Sequence, residues 1–144
     1  MKTSVLIIAH NEERYIAKCI ESVLHQTKAP DEVVLVVHNC TDNTVEIARK
    51  FPVTVLPYEG PRGIVPARLK GLDHVSGDSI LCLDGDSSVP ANWVEVMTDT
   101  LQCDKNVLVG SWVRFEGTAF GNLYNLYSRY ATGLKYSEVV YWIW

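Results

Sequence analysis

Short apolar runs alternate along this chain with segments whose apolar residues recur at helical spacing. The runs at 4–9 and 32–37 are rich in Val, Ile and Leu, which is typical of strands buried on both faces. Between them, Ile16, Ile20 and Val23 form the apolar stripe of a helix. Strands that alternate with helices indicate βαβ units joined by right-handed crossovers. The sequence therefore predicts an α/β protein, with a Rossmann-like, mostly parallel sheet flanked by helices.

The same alternation continues to about residue 115. The predicted strands are 4–9, 32–37, 53–56, 79–83 and 107–115, and the later helices begin near residues 42, 63 and 90. Asn11 is predicted to cap the first helix, with Glu12 in its first turn, and Thr41 or Asp42 to cap the second. Ligands of such sheets bind at the carboxyl ends of the strands. The polar segments 10–12, 38–42 and 84–86 are therefore expected to converge there.

Asp84-Gly85-Asp86 directly follows the apolar run 79–83, which predicts a strand buried on both faces. In an extended chain residues i and i+2 point to the same side, so the two carboxylates can converge, and Gly85 lets the backbone bend beneath them. Paired carboxylates repel each other unless a cation lies between them. Mg²⁺ and Mn²⁺ take oxygen ligands and share them with phosphates. The motif therefore predicts a divalent metal that carries a diphosphate.

Three other interpretations compete with the metal site. Asp-Gly is a hairpin signal, but the segment that follows has Pro90 near a predicted helix start rather than a second strand. A calcium loop requires Gly where Val89 stands, and it follows a helix rather than a strand. A plain acidic loop stays open at this point.

Composition limits the function classes. The chain has 144 residues, enough for one domain with a substantial core, and its net charge of -4 disfavours nucleic acid as a partner. Its cysteines lack zinc-ligand spacing and fit a reducing cytosol, with Cys19 and Cys82 expected as small apolar core residues. No signal peptide and no run of membrane-spanning length is visible.

Phosphate-binding loops of the G-x-G-x-x-G and G-x-x-x-x-G-K-[ST] types are absent. Phosphate would therefore be held by a metal and by cationic side chains. Arg62, Arg68 and Lys70 lie in a suitable segment, although each by itself is more typical of a solvated helix face.

The segments 4–12, 36–44, 67–68 and 83–86 together resemble the family 2 glycosyltransferases, which have the GT-A fold. The similarity extends from about residue 3 to about residue 101, with the motifs in the right order. The resemblance implies a nucleotide-diphosphate sugar donor, with a UDP-sugar favoured, and a divalent metal, Mn or Mg. It also implies a hydroxyl acceptor on a glycan, a lipid or another molecule.

The resemblance also implies a role for each matching residue. Asp86 would ligate the metal, and Asp84 would contact the metal or the ribose side of the donor. The nucleobase and ribose pocket would be lined by Ala9, His10, Asn11 and Glu12, the base would meet His38 and Asn39, and Arg68 would help to hold the donor.

Two positions depart from the family pattern, which usually has Pro at the position of Ala9 and Asp at that of His38. An Asp there would accept a hydrogen bond from a uracil ring nitrogen. Neutral His38 can do so with one ring nitrogen, but its other nitrogen is then a donor. Alternatively, His38 caps the sheet edge without any contact. His10 is interpreted as a loop residue rather than a catalyst.

Inverting transfer needs a general base beside the acceptor hydroxyl, and the catalytic residue stays unassigned. The late carboxylates Glu116 and Glu138 lie in no recognisable base motif. We expect residues 1–115 to form the nucleotide-sugar-binding GT-A core and 116–144 to begin an incomplete acceptor-side region of a longer enzyme. The helically spaced segment 120–134 is expected to pack on the sheet, with a membrane-interface role as the alternative.

Other functions are kept as alternatives. The chain can be a non-catalytic nucleotide-sugar-binding module, or an inactive fragment that lacks the catalytic base. A nucleotidyltransferase is a third interpretation, but that class places a Gly-rich basic loop after the first strand, which 9–13 is not. The expected location is cytoplasmic or peripheral to the inner face of the membrane, with membrane association of the full-length protein left open.

Overall fold

Strands and helices alternate through the amino-terminal part of the protein. The structure, a computed structural model, describes residues 1–103, 112–115 and 140–143. The strands are β1 (Thr3–Ala9), β2 (Glu32–His38), β3 (Thr54–Tyr58), β4 (Ser79–Asp84), β5 (Ser87–Ser88), β6 (Trp112–Phe115) and β7 (Val140–Ile143). The helices are α1 (Ile16–Leu24), α2 (Thr44–Ala48), α3 (Ile64–Leu72) and α4 (Trp93–Cys103).

The main sheet has the strand order β3-β2-β1-β4, and its three pairings are all parallel. This confirms the predicted α/β class. Ala9 pairs with Val37, and Ile8 pairs with Asp84, so β1, β2 and β4 end at the same edge of the sheet. A second sheet has the order β5-β7-β6. The parallel register brings the polar segments after β1, β2 and β4 to one place.

Helices cover the two faces of the main sheet. On one face Ile7, Leu35 and Leu83 pack with residues of α1 and α4, including the fully buried Ile20 and Trp93. On the opposite face the side chains of Leu6, Ile8, Val34 and Val36 pack with Ala67 of α3. The period-2 alternation of each strand therefore assigns successive residues to different cores.

The prediction that the fourth strand is buried on both faces is wrong. Leu81 and Leu83 are buried, but Ile80 is 38% exposed and Cys82 is exposed too. The strand β4 is an edge strand of the four-stranded sheet, and α3 packs over β1, β2 and β3. Cys82 is therefore not the core residue that we expected, whereas Cys19 is 1% exposed and lies in the core as predicted.

Two helix starts also differ from the predictions. The helix α1 begins at Ile16, and Asn11 does not cap it but adopts a left-handed conformation with φ of 58°. At α2 the cap position is taken by Asn43, yet the Asp42 Oδ1 atom accepts a hydrogen bond of 3.0 Å from the Thr44 amide. Asp42 therefore satisfies a free amide from one position earlier than the cap.

The segment after the acidic motif also differs from the prediction, because a short strand precedes the helix. A turn at Gly85-Asp86 leads into β5, and α4 begins only at Trp93. The partner of β5 is β7, so the Asp-Gly turn joins strands of different sheets rather than forming a hairpin.

Several predictions lie outside the described residues. Of the predicted strand 107–115, the structure describes β6 alone. Glu116, Glu138 and the segment 120–134 lie outside the described part of the chain. None of the helices that the structure describes combines the length and hydrophobicity needed to cross a bilayer.

Close packing of α3 on the sheet can be tested at Gly71. An added Cβ atom would lie 2.3 Å from Leu6 Cδ1 and 3.0 Å from Val36 Cγ2. We expect Gly71→Ala to lower the free energy of unfolding by up to about 2 kcal/mol, because overpacking of about 1–3 kcal/mol outweighs the gain in helix propensity of about 1 kcal/mol. Urea denaturation measures the change.

Leu69→Ala on the same helix is the matched control for Gly71→Ala. Leu69 is 59% exposed, so its truncation should change stability by less than about 0.5 kcal/mol. A Gly71→Ala protein as stable as the wild type would contradict the close approach of α3 to β1.

Candidate functional site

A cavity of about 830 Å³ lies at the carboxyl edge of the main sheet. All three predicted polar segments contribute to it, together with the segment that leads into α3. Its lining residues are Ile8, His10, Asn11, Glu12, His38, Asn39, Thr41, Arg62, Gly63, Ile64, Asp84, Gly85 and Asp86. Seven of the nine residues named from the sequence are among them, and Ala9 and Arg68 are not.

The acidic turn is fixed against the end of β1. The Gly85 amide donates a hydrogen bond of 2.8 Å to the Ile8 carbonyl. A Cβ atom at Gly85 would lie 2.8 Å from the Cβ atom of Ala9, closer than real Cβ contacts come. Asp84 and Asp86 therefore meet in the cavity through a turn held tightly against β1, and not through an extended chain as predicted.

The carboxylates of the cavity disfavour one another's ionisation. Burial raises the pKa of Asp86, and the negative charge of Asp84 raises it further. The pKa of Glu12 is raised by burial and then by the charges of Asp86 and Asp42. This side of the cavity therefore carries excess negative charge, which a bound cation would relieve.

The residues present fit a metal only when it is shared with a ligand. Among the described side chains, no group of three or more His, Cys, Asp or Glu residues could hold a metal ion. Asp84 and Asp86 nevertheless supply carboxylate oxygens from one turn. Mg²⁺ is commonly bound by one or two carboxylates, with substrate phosphates and water completing its coordination. The donor set matches that pattern rather than a site built of protein ligands alone.

Arg68 acts on an acidic residue rather than on the cavity itself. Its Nη2 atom lies 3.5 Å from Asp84 Oδ1, and the two side chains are 39% and 44% exposed. The Nε atom of Arg68 is buried, without a hydrogen-bond partner among the described residues. The structure thus places Arg68 behind Asp84, where it orients that carboxylate.

Two histidines link the ends of β1 and β2. The Nδ1 atom of His10 donates a hydrogen bond of 2.7 Å to the His38 carbonyl, and the His38 Nε2 atom donates one of 3.0 Å to the Pro61 carbonyl. The His38 ring stacks on Tyr58 with a centroid distance of 5.5 Å and is 5% exposed. The interpretation of His38 as a residue without contacts is therefore wrong. In the tautomer that donates from Nε2 to Pro61, Nδ1 is the acceptor of neutral His38. The Asn39 Nδ2 atom also lies 3.0 Å from His38 Nε2, and a hydrogen bond from that group requires the other tautomer, in which Nδ1 carries the proton.

Both histidines are followed by an asparagine in the left-handed conformation. The φ angles are 58° at Asn11 and 47° at Asn39, a region that Asn tolerates better than most residues. Asn11 Oδ1 accepts a hydrogen bond of 2.7 Å from the Thr41 amide. The backbone N–H group of Asn39 donates a hydrogen bond of 3.0 Å to the Tyr58 carbonyl. The two turns therefore tie β1 to the loop after β2, and β2 to the end of β3.

Ala9 lies in the core rather than in the cavity. It is 2% exposed and packs on the α1 face of the sheet, because strand alternation directs it away from the face of Ile8. We did not predict that residues 62–64 form one wall of the cavity, although Arg62 was a candidate to bind phosphate. A signal was present in the sequence: the predicted strand 53–56 is parallel to its neighbours, so the loop that follows it must also lie at this edge.

Comparison with known proteins identifies the family. Residues 4–139 match the sequence profile of glycosyl transferase family 2. The chain belongs to this family. A curated relative, glycosyltransferase GlyG of Streptococcus pneumoniae serotype 4, is 31% identical over 127 residues, covering 84% of this chain and 42% of GlyG. The chain spans less than half the length of the curated relatives it matches.

Solved structures confirm the GT-A fold predicted for a family 2 glycosyltransferase. TarS of S. aureus (residues 1–349), crystallised with UDP-GlcNAc, superposes with a TM-score of 0.67 at 22% identity, covering 83% of this chain and 36% of that 1–349 chain. Glucosyl-3-phosphoglycerate synthase from Mycobacterium tuberculosis, in complex with Mn²⁺, UDP and phosphoglyceric acid, gives a TM-score of 0.69 at 21% identity. The superposition covers 97% of this chain and 54% of the synthase chain.

The repulsion around Asp86 predicts a gain in stability when its charge is removed. A raised folded-state pKa means that ionisation of Asp86 opposes folding at neutral pH, and that this opposition fades as the pH falls through the folded-state pKa and is absent below the pKa of the unfolded chain. With chelator present, Asp86→Asn should raise the free energy of unfolding at pH 7 by on the order of 0.5 kcal/mol after solvent screening, and by less near pH 4. Urea titrations at the two pH values measure the difference.

Asp42→Asn is the control of opposite sign. Burial works to raise the pKa of Asp42, but hydrogen bonds from Thr44 and Glu13 outweigh it and hold the pKa below its usual range. Ionised Asp42 therefore stabilises the fold at pH 7, and Asp42→Asn should lower stability there. An Asp86→Asn protein less stable than the wild type at pH 7 in chelator would contradict the charge repulsion in the cavity.

Proposed function

We propose that this domain binds a UDP-sugar together with a divalent cation, Mn²⁺ or Mg²⁺, and that the whole protein transfers the sugar to a hydroxyl of a glycan, lipid or other acceptor. The observation that carries the proposal is the convergence of Asp84 and Asp86 in one cavity at the carboxyl edge of a GT-A sheet. Solved neighbours with UDP and UDP-GlcNAc support the choice of donor.

The nucleoside end of the donor is assigned to the ends of β1 and β2. His10, Asn11, Glu12, His38 and Asn39 line that part of the cavity with both donors and acceptors. In the tautomer of His38 that donates from Nε2 to the Pro61 carbonyl, Nδ1 is the ring atom left to accept a hydrogen bond from a base, whereas the tautomer that accepts from Asn39 Nδ2 would present Nδ1–H instead. The first of these tautomers supports recognition of a ring N–H group such as that of uracil.

The diphosphate end of the donor is assigned to the acidic turn. Asp86 would hold the metal, and Asp84 would share it or contact the ribose, with Arg68 orienting the Asp84 carboxylate. When bound, the metal supplies positive charge that stabilises the departing diphosphate. The turn at Gly85 packs closely against Ala9, which holds the backbone that carries both carboxylates in place. Such stabilisation requires this preorganisation.

The remaining assignments follow the proposed division of the chain. Residues 1–115 form the donor-binding core, and residues 116–144 begin the acceptor-side region, where the general base would be sought. The alternative is a nucleotide-sugar-binding module without turnover. This alternative stays open because the chain spans less than half the length of these curated relatives. We place the protein in the cytoplasm or at the inner face of the membrane.

Metal-dependent binding of UDP tests the proposal. Isothermal titration calorimetry with and without Mn²⁺ should show UDP binding that depends on the metal. Asp86→Asn should weaken that binding at least about tenfold, because removal of a charge-assisted contact costs about 1.5–3 kcal/mol. Asp73→Asn removes an exposed carboxylate at the end of α3 and should leave UDP binding unchanged.

Two outcomes would count against the metal role. One is UDP binding of equal affinity in Mn²⁺ and in chelator; the other is an Asp86→Asn protein that responds to Mn²⁺ as the wild type does. Transfer and simple binding are separated by turnover of a UDP-sugar, measured as UDP release. Tight binding without UDP release, with acceptors present, would favour the binding module.

A further inference from the structure

We propose that Arg62 is the side chain that contacts the phosphate groups of the donor, so that the affinity gained with each phosphate depends on Arg62. The inference rests on the proposed function, because it concerns the same cavity. It assigns to Arg62 the direct contact that the family resemblance implied for Arg68.

The charges of the cavity require a cation at this place. Glu12, Asp84 and Asp86 contribute three carboxylates to the lining, and Arg62 is the only Arg or Lys among its described residues. A diphosphate adds further negative charge beside those carboxylates. One divalent ion offsets only part of the total, so a positive side chain in the wall opposite the acidic turn adds attraction where the phosphates would lie.

Arg68 is unsuited to the direct role. Its guanidinium lies 3.5 Å from Asp84 Oδ1, and it is not among the residues that line the cavity. Arg62 is exposed and has no hydrogen bond or ion pair with any other residue of the described part of the chain. Its planar donor fork is therefore available to bind phosphate oxygens in a bidentate manner.

The backbone on both sides of Arg62 is held in place. Asn39 Nδ2 donates a hydrogen bond of 3.0 Å to the Gly60 carbonyl, and Asn39 Oδ1 accepts one of 3.2 Å from the Gly60 amide. His38 fixes the Pro61 carbonyl, and Gly63 turns the chain into α3 with a φ of 121° that few other residues adopt. Arg62 therefore projects from an anchored segment at the start of α3, where the helix dipole also favours an anion.

A ligand series isolates the phosphate contact. Calorimetry with uridine, UMP and UDP in Mn²⁺ is compared for the wild type, Arg62→Ala and Arg62→Lys. We expect Arg62→Ala to weaken UDP binding about 10- to 100-fold and to leave uridine binding unchanged. Arg62→Lys should recover part of the loss, because lysine keeps the charge without the fork. Arg49→Ala, which removes an exposed arginine at the end of α2, should bind all three ligands like the wild type.

Asn39→Gly tests the anchoring of the loop. Glycine accepts the left-handed backbone at this position, so the substitution removes the side-chain hydrogen bonds to Gly60 without straining the turn. Uridine binding reports any contact of Asn39 with the base. If Asn39 also acts through Arg62, Asn39→Gly should weaken UDP binding more than uridine binding, and this extra loss should be small in the Arg62→Ala protein.

Failure of this inference is distinct from failure of the proposed function. A wild type that binds UDP, with Arg62→Ala binding it equally well or losing uridine to the same extent, would overturn the assignment of Arg62 alone. A wild type that binds no UDP with any divalent metal would overturn the proposed function and the inference with it. Additive effects of Asn39→Gly and Arg62→Ala on the affinity for UDP relative to uridine would show that the Asn39 side chain does not position Arg62.

Discussion

The position of β1 between β2 and β4 determines the arrangement of the cavity. Both neighbours run parallel to β1, so three strand ends share one edge of the sheet. The hydrogen bond from the Gly85 amide to the Ile8 carbonyl extends the pairing of β1 with β4 by one residue. His38 is the last residue of β2, and His10 and Asp86 follow the ends of β1 and β4 by one and two residues, so all three lie at this edge and line the same cavity.

The carboxylates at this edge are arranged at some cost to stability. Glu12 and Asp86 both have raised pKa values, because burial and neighbouring carboxylates disfavour their charged forms. A cluster of this kind, with an arginine serving to orient one member, contributes little to folding on its own. Perturbed carboxylates in a cleft are more typical of a site that is completed by a cation or a substrate than of a structural network.

The parts that could be predicted from the sequence are those with a strong period. Apolar runs and helical stripes identify the βαβ order, and the parallel-sheet rule then predicts the convergence of 10–12, 38–42 and 84–86. Whether a helix covers each face of β4 could not be predicted. Ile80 and Cys82 belong to an apolar run whether or not a helix packs over them. Asn11 was equally suited to a helix cap and to a left-handed turn. Its hydrogen bond to Thr41 decides between them, and that contact is distant in sequence.

Strand alternation explains how a chain without a glycine-rich phosphate loop can hold a diphosphate. Ile8, His38 and Asp84 are adjacent strand ends, and all three line the cavity on the face that carries α3. The segment between β3 and α3 is therefore the opposite wall, and under our proposal the side chain of Arg62 would bind phosphate there in place of backbone amides. A loop of glycines binds phosphate through its own backbone, whereas here the geometry depends on how firmly Asn39 and His38 hold the loop. Under our proposal, the polar residues at the end of β2 would contact the base directly and act on the phosphates through the loop that they hold.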